Sequence, residues 1–142
     1  MAIIKELLDK KSSGVWSVSP DATVFEALSL LAEKNIGALL VIRDDKLVGL
    51  VSERDYARKV ILQGKTAENT RVREIMTSGV TSVDPDTSVQ AAMAVMSEKR
   101  FRHLPVLENE QIVGIVSIGD LVQSIITEQA FTINQLESYI AG

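Results

Sequence analysis

Gly49-Leu50-Val51-Ser52-Glu53-Arg54-Asp55 returns 65 residues later as Gly114-Ile115-Val116-Ser117-Ile118-Gly119-Asp120. Each stretch reads as the end of an apolar strand running into the start of a helix. A helix N-terminus presents free backbone N–H groups and a partial positive charge, which suits an anion. Serine there adds a hydroxyl, and an aspartate one turn in stays ionised and can accept from both hydroxyls of a ribose. The glycine lets a ligand or a neighbouring backbone approach the strand. The same residues also make an ordinary helix cap, with Asp supporting the dipole. Recurrence supports the first reading, although shared ancestry would also preserve a cap.

Working outward, Ser13–Asp55 aligns on Ser78–Asp120 without a gap and with 18 identities in 43 positions. Most other positions exchange like for like, as Leu28 with Met93 and Leu31 with Met96. The chain is therefore two copies of one unit. In the first copy an extended segment, Val15–Val18, ends at Ser19-Pro20-Asp21, because proline disfavours helix in the residue before it. Thr23 and Glu26 form a capping-box signature, and Val24, Ala27, Leu28, Leu31 and Ala32 give a helix one apolar face. Two β-rich runs follow, Ala38–Ile42 and Leu47–Val51, across the polar turn 43–46. A second helix from Ser52 carries Tyr56, Val60 and Ile61 inward.

The second copy repeats the order with Val80–Val83, a helix from Ser88 to Lys99, Leu104–Leu107, Ile112–Val116 and a helix from Ser117; Ala91 replaces the Glu of the capping box. The expected fold class is mixed α/β (α+β), two β-α-β-β-α units. Expected boundaries are an N-terminal helix with the first unit at 1–63, a linker at 64–76, and the second unit with a helical extension at 77–142. Units this small suggest one shared core. The last helix continues through Ile125, Ile126, Ala130, Ile133, Leu136 and Ile140. That series either folds back over its own unit or packs on a partner chain.

Composition narrows the chemistry. The 142 residues include no Cys and one His, and the net charge is −4. Thiolate and multi-His metal sites are excluded within one chain, and His103 is the sole candidate for a Ser-His-Asp arrangement. There is no P-loop and no Gly-x-Gly-x-x-Gly, so an enzyme is the weakest reading. The acidic balance argues against nucleic acid, and no apolar run approaches the roughly 20 residues that span a bilayer. The N-terminus is too charged for a secretory signal, so a cytoplasmic setting is expected. Between Arg54 and Arg73 there are six basic residues against two acidic ones, a candidate phosphate-facing patch of which Arg54, at the helix start, is the residue singled out.

The chain resembles a tandem pair of cystathionine-β-synthase (CBS) domains, a Bateman module, over essentially its whole length. The resemblance rests on the two Gly-h-h-Ser-x-x-Asp segments, Glu74-Ile75-Met76-Thr77, Arg102-His103-Leu104-Pro105-Val106, Ser52–Lys59, and the tail Phe131–Leu136. It implies two units packed about a pseudo-two-fold axis with a cleft on each side for an adenosine ligand. AMP is the foremost candidate, with ADP, ATP, NAD(H) or S-adenosylmethionine as others, and no tightly bound metal is expected.

By the same resemblance Asp55 and Asp120 would each hold a ribose, with Ser52 and Ser117 at the phosphate or ribose edge. Ser13-Gly14-Val15 and Thr77-Ser78-Gly79-Val80 would meet adenine through main-chain groups. Arg102 and His103 match positions that contact phosphate, where the first copy has Gly37 and Ala38. Arg54, Ala38, Pro105 and Gly119 complete the candidate ligand-binding set. The implied function is a non-catalytic regulatory module, a homodimer, that reports energy or redox state to an effector protein. The alternative is a structural interaction module with no physiological nucleotide.

Overall fold

A computed structural model describes residues 2–10 and 15–141. They form two compact units: Val15–Val80, and the described residues of Met1–Gly14 together with those of Thr81–Gly142. Both are mixtures of helix and strand, as the patterning requires.

In the Val15–Val80 unit, β1 (Ser17–Val18) runs parallel to β2 (Ala38–Arg43), and β2 pairs antiparallel with β3 (Lys46–Ser52). Helix α2 (Val24–Lys34) starts where the Thr23 hydroxyl accepts the Glu26 N–H at 3.1 Å and stops at Asn35, which is left-handed. Helix α3 (Glu53–Lys59) follows β3 directly, and the short helix α4 (Val72–Ile75) closes the unit. Val24, Ala27 and Leu31 of α2 pack on Leu39, Val41 and Val51, with Val60, Val72 and Ile75 completing the core.

The second unit repeats this with α5 (Val89–Lys99), β4 (His103–Glu108), β5 (Gln111–Ser117) and α6 (Ile118–Ala141). Both hairpins turn in two residues, Asp44-Asp45 and Asn109-Glu110, all four at positive φ. That geometry matches the right-handed twist of the flanking strands.

Helix α1 (Ile4–Lys10) differs from the expected grouping, because it packs in the unit of the second copy. Ile4 and Leu7 are buried there among Val89, Met96, Val106 and Leu121. Three backbone bonds fix the docking: Ile4 N–H to Thr87 O, Lys5 N–H to Pro85 O, and Val89 N–H to Ala2 O, each 2.9 Å. The same three bonds recur in the other unit as Val72 N–H to Ala22 O, Arg73 N–H to Pro20 O, and Val24 N–H to Thr70 O. Residues 2–8 therefore play for the second repeat the part that residues 70–76 play for the first. The segment that precedes each repeat in the chain docks on the other repeat.

The region expected as linker, 64–76, is thus part of a core. Thr70 is 2 % exposed with its hydroxyl on Thr66 O, Ala67 O accepts from Phe25 N–H, and Val72 and Ile75 are buried. The polar run earned its linker reading from composition, whereas its backbone satisfies the first turn of α2.

Two further expectations change. Ile61 is 56 % exposed because the chain leaves α3 at Val60 for a single 3₁₀ turn, Ile61–Gln63. Among the described residues, the extended segment Val80–Val83 pairs only at Val83, which is held against β4 by Pro105 O and Leu107 N–H. Buried residues form a cluster in each unit.

The end of α6 does not fold back on its unit. Ile126, Phe131, Ile133, Leu136, Tyr139 and Ile140 are all more than half exposed.

Candidate functional site

Each Ser-x-x-Asp segment sits where the second strand of a hairpin, β3 or β5, passes straight into a helix. In the first repeat Ser52 N–H donates to Asp55 Oδ2 at 2.9 Å, and Asp55 N–H donates to Ser52 Oγ at 3.2 Å. The second repeat has the same reciprocal pair, Ser117 N–H to Asp120 Oδ2 at 2.8 Å and Asp120 N–H to Ser117 Oγ at 3.1 Å. This is a capping box with Asp in the usual Glu place. The cap reading of these residues is therefore realised, and it fixes each carboxylate in one orientation. Both aspartates are half-buried.

Glycine in this segment answers to backbone approach. A Cβ on Gly49 would lie 2.7 Å from Met76 Sδ and 2.9 Å from Thr77 O. Thr77 reaches so close because it pairs with Leu50, donating to Leu50 O at 2.8 Å and accepting from Leu50 N–H at 3.0 Å. That pairing uses both main-chain groups of Thr77, the groups expected to meet adenine. Gly79, two residues on, has φ +63, a conformation glycine adopts without strain.

The remaining predicted residues fall as follows. Ala38 is buried and pairs with Ser52 in the sheet register; His103, half-buried, pairs with Ser117 in the equivalent place. Arg102 is exposed, and its carbonyl accepts the Ile118 N–H at 2.8 Å, which holds it beside the start of α6. Pro105 is buried in β4, while Arg54 and Gly119 are exposed at equivalent positions of α3 and α6. Val15 is 41 % exposed and Val80 half-buried. Ser13 and Gly14 lie outside the described residues. The sheet register sets His103 beside Ser117 and Ala38 beside Ser52.

The basic stretch 54–73 disperses into partners. Arg73 and Arg43 both reach Asp21 Oδ1, at 2.6 and 3.1 Å, and Arg71 donates to Asp21 O at 3.0 Å. Partial desolvation pushes the Asp21 carboxyl up, but hydrogen bonds and charge from Arg43 and Arg73 outweigh it and hold the group below its ordinary value. Lys59 Nζ stands 3.2 Å from Asp55 Oδ1 and donates to Ile75 O at 2.9 Å. Sequence reading missed Lys59, although an acid followed by a base four residues on was a visible signal.

In the second unit a groove of about 630 Å³ opens beside Asp120. It is walled by Glu6, Leu7 and Lys10 of α1 and by Gln123, Ser124, Thr127 and Phe131 of α6. Lys10 was also absent from the sequence reading, because α1 was assigned to the other repeat.

The duplication now has a family attached. The CBS-domain family model matches twice, over residues 4–61 and 72–127. The chain belongs to the CBS-domain family. It is 37% identical over 139 residues to the mitochondrial CBS domain-containing protein CBSX3 of Arabidopsis thaliana, covering 94% of this chain and 68% of that protein. Among solved structures it is similar to a protein with CBS domains from Burkholderia ambifaria, with 46% identity and a TM-score of 0.86 over 90% of this chain and 96% of that one. It is also similar, at 26% identity and a TM-score of 0.80 over 90% and 98%, to a CBS domain pair crystallised with 5′-methylthioadenosine and S-adenosyl-L-methionine. This chain is thus a CBS pair, a class of regulatory module, and a relative of its fold holds adenosine ligands. No described helix is long and apolar enough to cross a membrane.

Proposed function

We propose that this CBS pair is a non-catalytic sensor of an adenosine ligand, with AMP foremost and ADP, ATP, NAD(H) or S-adenosylmethionine as further candidates. The observation that carries the reading is the fixed, half-buried carboxylate in each repeat, Asp55 and Asp120, held at the start of a helix by a serine. A carboxylate so oriented accepts from vicinal ribose hydroxyls. Ser52 and Ser117 lie at the ribose or phosphate edge, and Arg102 with His103 serves the phosphates of the second repeat. Val15, Gly79 and Val80 meet the base. The related pair that holds 5′-methylthioadenosine and S-adenosyl-L-methionine supports the ligand class.

The sensor acts on an effector protein in the cytoplasm and works as a homodimer. The exposed series on α6 supports the dimer: Val122, Ile126, Ile133, Leu136 and Ile140 follow the 3-and-4 spacing of a coiled-coil seam, interrupted by Gln129. A ligand moves such a module only through unequal affinity for two of its conformations.

Isothermal titration with AMP, ADP, ATP, NAD, NADH and S-adenosylmethionine tests the reading. Binding of at least one, weakened at least tenfold by Asp120→Ala, supports it; no heat from any of the six overturns it. The exposed α6 stripe equally suits an interaction module without nucleotide. That second reading predicts partner capture unchanged by any of these ligands.

A further inference from the structure

Three arginines of the first repeat converge on one aspartate. Arg73 Nη1 stands 2.6 Å and Arg43 Nη2 3.1 Å from Asp21 Oδ1, while Arg71 Nη1 donates to the Asp21 carbonyl at 3.0 Å. A guanidinium carries five N–H donors, and among the described residues each of these uses one on Asp21. Lys46 faces Arg43 in the strand register and adds a cation to that side of the sheet. Arg43 and Arg73 keep about half of their side-chain surface exposed. Three guanidinium charges against one carboxylate leave a surplus of two. Acids flank the cluster without entering it: Glu74 accepts the Arg71 N–H at 2.6 Å as part of the α4 cap, and Asp44 and Asp45 form the turn beyond Arg43.

The fold does not need this cluster to hold the docked segment. In the second repeat Asp86 keeps the place of Asp21, but Glu108, Ile3 and Lys5 replace Arg43, Arg71 and Arg73. The same three backbone bonds form there without a single arginine. We propose that Arg43, Arg71 and Arg73, gathered by Asp21, form a binding site for a phosphoryl group at the hairpin end of the first repeat. A phosphoryl group carries about −1.5 to −2 charge near neutral pH, which matches the surplus, and its oxygens take the paired donors of a guanidinium fork. The flanking acids repel an extended acidic chain and admit one compact anion. Arg43 lies five residues along β2 from Ala38, about 17 Å from the strand end that pairs with Ser52. This site therefore stands independently of the adenosine ligand proposed for the caps.

Amide chemical shifts of the intact chain, followed as sodium phosphate replaces sodium chloride at constant ionic strength and about pH 7.5, test the site; the pH lies above the second phosphate pKa of about 6. Saturable shifts are expected at Asp21, Arg43, Arg71 and Arg73. Arg43→Gln with Arg73→Gln is expected to weaken them about tenfold or more, and the Arg→Lys pair, which keeps charge but loses the fork, by less. Asp21→Asn keeps an oxygen for the arginines and removes the opposing charge, so it is expected to bind phosphate more tightly. Shifts that do not saturate, that survive the double Gln variant unchanged, or that weaken in Asp21→Asn overturn the site. A phosphoserine peptide run beside inorganic phosphate separates the sources. Tighter binding of the peptide supports the site as a contact for a phosphorylated partner protein, and binding no tighter than phosphate supports it as a site for the free ion.

Discussion

Met76 stands where a side chain on Gly49 would begin, its sulfur 2.7 Å from the position of a Cβ. Leu8 stands over Gly114 in the same way, its Cδ2 at 2.6 Å. The two neighbours differ in what lies behind them. At Gly49 the carbonyl of Thr77 is also within 2.9 Å, and backbone paired with Leu50 has little room to give. At Gly114 the crowding atoms all belong to the flexible end of Leu8. Gly49→Ala is therefore expected to cost about 1–3 kcal/mol, and Gly114→Ala less. Urea unfolding of both variants checks the order; a larger loss at Gly114 contradicts it.

The docking of α1 predicts where damage from an N-terminal substitution appears. Ile4 is fully buried in the unit of the second repeat. Ile4→Ala is expected to destabilise by about 2–5 kcal/mol, as for other buried aliphatic truncations. Hydrogen exchange resolves the location: amides of β4 and β5 lose protection, while those of β2 and β3 change less. The opposite pattern places α1 with the first repeat.

Acid sensitivity follows from Asp21. Its folded-state pKa lies below the ordinary value, so its charge contributes stability above the unfolded pKa of about 3.9, and that contribution is lost as pH falls through the lower folded value. The stability gap between wild type and Asp21→Asn is expected to be widest above about pH 5 and to close toward pH 3. Raising the salt concentration narrows it as well, because Asp21, Arg43 and Arg73 are each about half exposed. A gap that widens on acidification contradicts the assignment.

The α6 stripe predicts the assembly state. Ile133→Asp with Leu136→Asp puts two charges in the apolar seam and is expected to convert a dimer to monomer without loss of helical fold. Light scattering after size exclusion reads the mass directly. A dimer that survives both charges rules out this face as its contact.

Much of this was legible because the two copies align without a gap. Ser13–Asp55 on Ser78–Asp120 fixed the element order, and both Ser-x-x-Asp caps formed as read. What was missed follows from one change of offset. Ala2–Leu8 corresponds to Thr70–Met76 at a spacing of 68, so three extra residues hide the match from a 65-residue slide. Once that helix is assigned by chain order it goes to the wrong repeat, and Leu7, Lys10 and the groove beside Asp120 go with it. Thr66–Thr70 read as linker because its residues are polar, yet its carbonyls serve the first turn of α2. Lys59 looked like one more charge in a basic run, and only three-dimensional packing shows Ile75 O within its reach.

The account turns on what Asp120 holds. A crystal structure of the chain grown with whichever adenosine ligand binds most tightly tests it directly. The account predicts both ribose hydroxyls within hydrogen-bond distance of the Asp120 carboxylate. A ligand whose ribose touches neither Asp120 nor Asp55 contradicts it.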